Sequence, residues 1–203
     1  MKKVINLFGS GVLLFATIFM LNSCNNADTT KTNTDSTAVV SADATPAPAA
    51  PASDKLTDPE IASVAVTANQ IDIDYAAIAK SKGSTAAVKE FAATMAKDHQ
   101  AVIDKAVALV TKLGVTPADN ATTQSLLAGA TTTKANLNSL SGAAFDKAYI
   151  DNEVAYHKAA IDLVENKLIA DASNADLKAL LESALPLFKE HLAHAEMVQK
   201  GLK

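Results

Sequence analysis

Three of the four histidines in this chain stand where a helical apolar stripe would carry leucine. At about 100° per residue, His99 falls on the line of Val88, Phe91, Ala92, Met95, Ala106 and Val110. His191 falls on the line of Leu177, Leu181, Ala184, Phe188 and Ala195. His157 lies inside the wider apolar face of Phe145, Tyr149, Tyr156, Ala160 and Val164, with Glu153 one turn before it. Asp72 shares the stripe of Ile61, Val64, Ala65, Ala68, Tyr75 and Ala79, whereas Asp74 points the other way. Neutral imidazoles with one or two carboxylates are ligands for Zn, Fe, Mn, Cu or Ni. A buried carboxylate without a partner is costly. The five residues Asp72, His99, Glu153, His157 and His191 are therefore either a metal site or an inter-helix hydrogen-bond set that fixes register.

Counting heights at 1.5 Å per residue tests which of them can meet. From the turn near Ser173, His157 and His191 differ by only about 3 Å. Around Gly83, Asp72 and His99 differ by about 7–8 Å, a looser fit. Proteins that hold two irons inside a helical bundle draw Glu from two helices and Glu-x-x-His from two others. Here the acid–histidine spacing is Glu153-x-x-x-His157, and His191-x-x-His194 has no inward acid beside it. The pattern reads against a di-iron centre and leaves a single-metal site or structural polar contacts, with no catalytic residue assigned.

The elements that must position these side chains are legible from their punctuation. Thr57-Asp58-Pro59-Glu60 is a capping-box start for a helix that stops at Gly83. Ser84 is the expected cap of a second helix ending at Leu113-Gly114. Ser141-Gly142 precede a helix from about 143 to 170, and Ser173 or Asn174 starts the last one. Pro186 inside that helix is expected to kink it or to free a carbonyl near Glu182. The roughly thirty residues after Gly114 are rich in Thr, Asn and Ala, and Leu126, Leu127, Leu137 and Leu140 fit one or two short helical pieces. No segment alternates with period two, so no sheet is expected. Four long helices in two tight hairpins, joined by a long crossover, make an all-α, ferritin-like four-helix bundle the expected fold.

Outside the bundle, Lys2-Lys3, the apolar run Val4–Leu21 and Leu21-Asn22-Ser23-Cys24 read as a secretory signal. They resemble the bacterial lipoprotein pattern, which implies that Cys24 is acylated and becomes the mature N-terminus. Residues 1–23 are then the signal peptide and 24–56 a lipidated cysteine with a disordered Thr/Ala/Pro-rich tether. Residues 57–203 are a single domain of ordinary size. Cys24 is the only cysteine, so disulfides, cysteine nucleophiles and thiolate metal sites are excluded. Removing residues 1–23 leaves 16 lysines against 22 acids, a formal charge of −6, and there is no arginine. An acidic, arginine-free surface argues against nucleic acid. No phosphate loop, nucleophile elbow or His-Glu-x-x-His run is present.

The assembled motifs resemble the bacterial domain of unknown function 4142 family, a group of ferritin-like exported proteins. The residues that carry the resemblance are Asn69-Gln70-Ile71-Asp72-Ile73 and Phe91 through Asp98-His99. They continue with Ser141-Gly142-Ala143-Ala144-Phe145-Asp146-Lys147-Ala148-Tyr149 followed by His157, then Leu185-Pro186 followed by His191. At position 72 that family tends to carry Glu. The resemblance covers about residues 57–200 and implies an exported four-helix domain of unestablished biochemistry. The reading of the whole is a non-enzymatic, lipid-anchored bundle in the bacterial cell envelope, in the periplasm or at the outer membrane. It would bind a transition metal (Zn, Fe, Cu or Mn) for storage, sensing or stress protection, with no protein partner identifiable. The competing readings are a metal-dependent redox enzyme and a scaffold for an envelope partner whose histidines are purely structural.

Overall fold

The computed structural model describes residues 55–202, and those residues form helices and no strand. The expected signal segment, Cys24 and nearly all of the expected tether lie outside the described residues. Helix α1 spans Asp58–Lys82, α2 Ala86–Leu113 and α3 Ala121–Ser139. Helix α4 (Gly142–Leu163) runs without a break into a π-helical turn, Val164–Leu168, and a last α turn, α5 (Ile169–Asp171). Helix α6 covers Ala175–Gly201. None of these helices is long and apolar enough to cross a membrane.

The helix ends follow from local chemistry. The Thr57 backbone N–H donates to Glu60 Oε2 at 2.8 Å, and Asp58 and Glu60 complement the positive end of the α1 dipole. Gly83 ends α1 because nothing larger fits: a Cβ there would lie 2.7 Å from the Ala79 carbonyl oxygen. Gly114 ends α2 in the left-handed conformation (φ 64°), its N–H reaching back to the Val110 and Thr111 carbonyls. Asn174 caps α6, its Oδ1 accepting from the N–H groups of Asp176 and Leu177.

Two expectations are corrected. Thr85, not Ser84, caps α2, its hydroxyl accepting from the Val88 N–H. Ser84 instead turns toward α4, where its N–H and Oγ both donate to the Asp146 carboxylate. The stretch after Gly114 is not one or two short pieces but a single 19-residue helix, α3, capped by Asn120. Its apolar signal is sparse because only Thr123, Ala130 and Leu137 are buried, one residue every second turn, against α1 and α4. The π turn was not foreseen either. Pro186 sits inside an unbroken α6, and having no N–H it leaves the Glu182 carbonyl without its usual helical donor.

Four helices enclose the core: α1 packs on α2, α2 on α6, α6 on α4 and α4 on α1. Polar ties fix their ends. Lys112 near the end of α2 pairs with Asp176 at the start of α6. The Leu56 N–H donates to Asp171 Oδ2 and the Ser173 N–H to Asp58 Oδ1, joining the start of α1 to the turn before α6. At the other end Asp146 accepts from Ser84 N, Ser84 Oγ and Thr85 N at 2.7–2.9 Å, joining the α1–α2 turn to α4. The interior divides into two apolar clusters. One is built around Ile71, Tyr75, Phe91, Met95, Tyr149 and Val198. The other is built around Ile61, Val64, Val164, Leu177, Leu181 and Phe188.

Burial alone would raise the pKa of Asp146, but the hydrogen bonds from Ser84 and Thr85 outweigh it and hold the carboxyl below its ordinary value. A lowered native pKa contributes stability that is present above the unfolded value and is lost as pH falls through the native one. Asp146→Ala is expected to cost about 2–4 kcal/mol at pH 7 in urea unfolding, because it strands three donors. The advantage of wild type over Asp146→Asn should shrink as pH drops below 3.8.

Candidate metal centre

Between the two apolar clusters, each of the four enclosing helices turns at least one polar side chain inward. Asp72 comes from α1, His99 from α2, Glu153 and His157 from α4, and His191 from α6. All five are buried, with Asp72 and Glu153 at 0 % exposure. The three imidazoles form a triangle with ring centroids 5.1–5.5 Å apart, and His99 stacks on Phe188.

The five residues expected from the sequence are thus brought together. The His157–His191 approach agrees with the height count, but the looseness expected of Asp72 and His99 is corrected: His99 Nε2 lies 3.3 Å from Asp72 Oδ2. Counting from Gly83 overstated the offset, because the three-residue turn Gly83–Thr85 carries the chain across rather than along the bundle. Measured from Lys82 and Ala86, the difference falls to about 4–5 Å, within reach of an imidazole. His157 Nε2 lies 3.6 Å from the same Asp72 oxygen.

Each histidine is held by one nitrogen. Asn69 Nδ2 donates to the Ala65 carbonyl, which fixes its amide so that Oδ1 accepts from His99 Nδ1–H at 2.7 Å. His157 Nδ1–H donates to the Glu153 carbonyl at 3.0 Å. His191 Nε2–H donates to Asp98 Oδ2 at 3.2 Å. The opposite nitrogens, His99 Nε2, His157 Nε2 and His191 Nδ1, are buried and make no hydrogen bond within the protein, and neither do the four carboxylate oxygens of Asp72 and Glu153. Ligand atoms of the three histidines lie within 4.8 Å of one another, as do those of Asp72, Glu153 and His157, so these groups could hold a metal ion.

The electrostatics match. Burial drives His99 down to about 2, with the neighbouring His157 and His191 adding to the effect. Burial also takes His157 down to about 4 and lowers His191. These imidazoles are neutral and carry lone pairs, as metal ligation requires. Burial raises Asp72 to about 8, and burial with the Asp72 charge raises Glu153 well above the ordinary carboxyl range. Nearby phenols respond to the same field, Tyr149 and Tyr156 being raised by burial and by the Asp72 and Glu153 charges.

A family model described as Domain of unknown function (DUF4142) matches residues 42–198. The chain belongs to that family. No curated protein and no solved structure matches it. The DUF4142 domain of this chain therefore carries its chemical argument in its own geometry.

Two residues that complete the centre were not singled out from the sequence. Asn69 lies three residues before Asp72 on the same helical face, and that spacing was the available signal. Asp98 is the chain neighbour of His99, and its role becomes visible only with α6 alongside. Truncating Asn69 to Ala would leave His99 Nδ1–H unpaired in the interior. The expected loss is about 1–3 kcal/mol in urea unfolding, and a loss under about 0.5 kcal/mol would mean that Asn69 does not hold that ring.

Proposed function

We propose that this DUF4142 protein is a lipid-anchored metal-binding protein of the bacterial cell envelope, built on a ferritin-like four-helix bundle. The observation that carries the reading is the set of seven buried, unpartnered ligand atoms on Asp72, His99, Glu153, His157 and His191. A tetrahedral site with bonds of about 2.0–2.1 Å has edges of about 3.3–3.4 Å. The 3.3 and 3.6 Å separations from Asp72 Oδ2 to two imidazole nitrogens are close to such edges. A single divalent transition metal would be held by ligand atoms drawn from two overlapping sets, His99, His157 and His191 on one side and Asp72, Glu153 and His157 on the other, which share His157. Asn69, the Glu153 carbonyl and Asp98 are the outer groups that orient the rings, as partners of ligating histidines do. This donor set suits Zn, Fe, Cu or Mn, and storage, sensing or protection against metal stress are its uses.

The bundle reading rests on the pairing of the helices and on α3. Lys112–Asp176 and the Asp146 tie place the end of α2 and the start of α4 at opposite ends. A connection between them must run the length of the domain, and a 19-residue helix of about 28 Å does so. The anchor reading rests on Leu21-Asn22-Ser23-Cys24.

Elemental analysis of the purified protein should find one equivalent of metal per chain. Resupplying Zn, Fe, Cu or Mn to stripped protein should raise its stability by about 4 kcal/mol at a thousandfold excess over Kd. The double variant His157→Gln, His191→Gln should lose both effects. Absence of both bound metal and a thermal shift in wild type overturns the reading. Separately, Cys24→Ser should move the protein from the membrane fraction to the soluble fraction.

A further inference from the structure

Beside the candidate centre lies a cavity of about 190 Å³ in the half of the core occupied by the second apolar cluster. Its size has a cause in the sequence: alanines from all four enclosing helices, among them Ala65, Ala106, Ala160 and Ala184, stand where larger side chains would fill it. The unforeseen π turn forms part of the same wall through Val164 and Leu168. Such turns recur at functional sites, because the extra residue pushes one wall of a helix outward. Val102, Leu126 and Leu163 in the wall are only half-buried, so solvent is not far from the interior.

The lining is almost wholly apolar. Its polar residues are Asn69, Tyr156, His99 and His157. Asn69 is hydrogen-bonded on both sides of its amide, and the Tyr156 hydroxyl donates to the Ala68 carbonyl at 2.8 Å. The buried polar atoms of this wall that lack a partner are His99 Nε2 and His157 Nε2. An apolar cavity of ~150 Å³ stays dry and takes benzene. A slightly larger one with two orphaned nitrogens at one end calls for an aromatic ring carrying a polar group.

We infer that this cavity is a binding site for a small monocyclic aromatic molecule of the phenol class, its ring among the alanines and its hydroxyl at the His99–His157 end. The inference deepens the metal reading, since it names the ligand class of that site. With metal bound, the oxygen of such a molecule would become an added ligand, which zinc-type sites accept by expanding to five-coordination.

Phenol and toluene differ only by hydroxyl against methyl, which makes them the probes. Titrated by NMR into metal-free protein, both should bind, phenol about tenfold more tightly, the worth of one net hydrogen bond. Ala160→Phe should abolish binding of both, and Ala106→Leu, a milder filling from another helix, should weaken both while leaving metal content unchanged. In cobalt-loaded protein, phenol but not toluene should shift the visible absorption. Failure of both probes to bind, equal affinities, or binding that persists in the two filled variants overturns the inference. Because the titration is done without metal, failure of the metal reading would leave it interpretable.

Discussion

Burying charge-capable groups without partners is the constraint around which this domain is arranged. Seven ligand atoms without a hydrogen bond, on five side chains, lie in one layer across the helices, with an apolar cluster on either side. On each enclosing helix the order is the same: apolar residues of one cluster, the polar residue, then apolar residues of the other. The five side chains of that layer are buried, so desolvation is costly for them. The shifted acidities of Asp72, His99 and His157 are three expressions of that single fact.

The second constraint is orientation. An imidazole has two nitrogens, and a ring left to itself could turn either inward. Here the outer nitrogen of each ring is committed to an acceptor: an amide oxygen, a main-chain carbonyl and a half-buried carboxylate. Three different acceptors on three different elements reach the same result, a buried ring nitrogen with its lone pair left free. Preorganisation of this kind lowers the entropy lost when a ligand binds. It also couples the centre to the fold, since each enclosing helix supplies a donor and any metal affinity becomes stabilisation of the packed bundle.

Helical periodicity made much of this legible in the sequence. The stripes identify Asp72, His99, Glu153, His157 and His191 without any structure, because a polar residue on an apolar line is conspicuous at 3.6 residues per turn. Capping signals identify the ends of the long helices to within a residue or two. Three features escaped for physical reasons. Helix α3 buries only Thr123, Ala130 and Leu137, too few to produce a stripe. The π turn at Val164–Leu168 leaves no compositional mark. Asn69 and Asp98 act across helix boundaries, where a wheel drawn on one helix has no information. The height count failed at Gly83 for a related reason: a turn has its own length, and spacing along the chain does not measure spacing along the axis.

A further buried carboxylate in the same domain speaks against a purely structural polar layer. Asp146 is 1 % exposed, covered at the end of the helices, whereas Asp72 lies deep between them. Its two oxygens accept from two main-chain N–H groups and a hydroxyl, and its pKa is lowered despite burial. That is how this chain builds a carboxylate whose work is to tie elements together. Asp72 and Glu153 face each other without any main-chain donor, and burial moves their pKa values the opposite way. Both carboxylates belong to one fold, so the difference does not come from poor packing. The Asp72 and Glu153 carboxyls are thus built differently from a tie, and with the free histidine nitrogens beside them they form groups that could hold a metal ion.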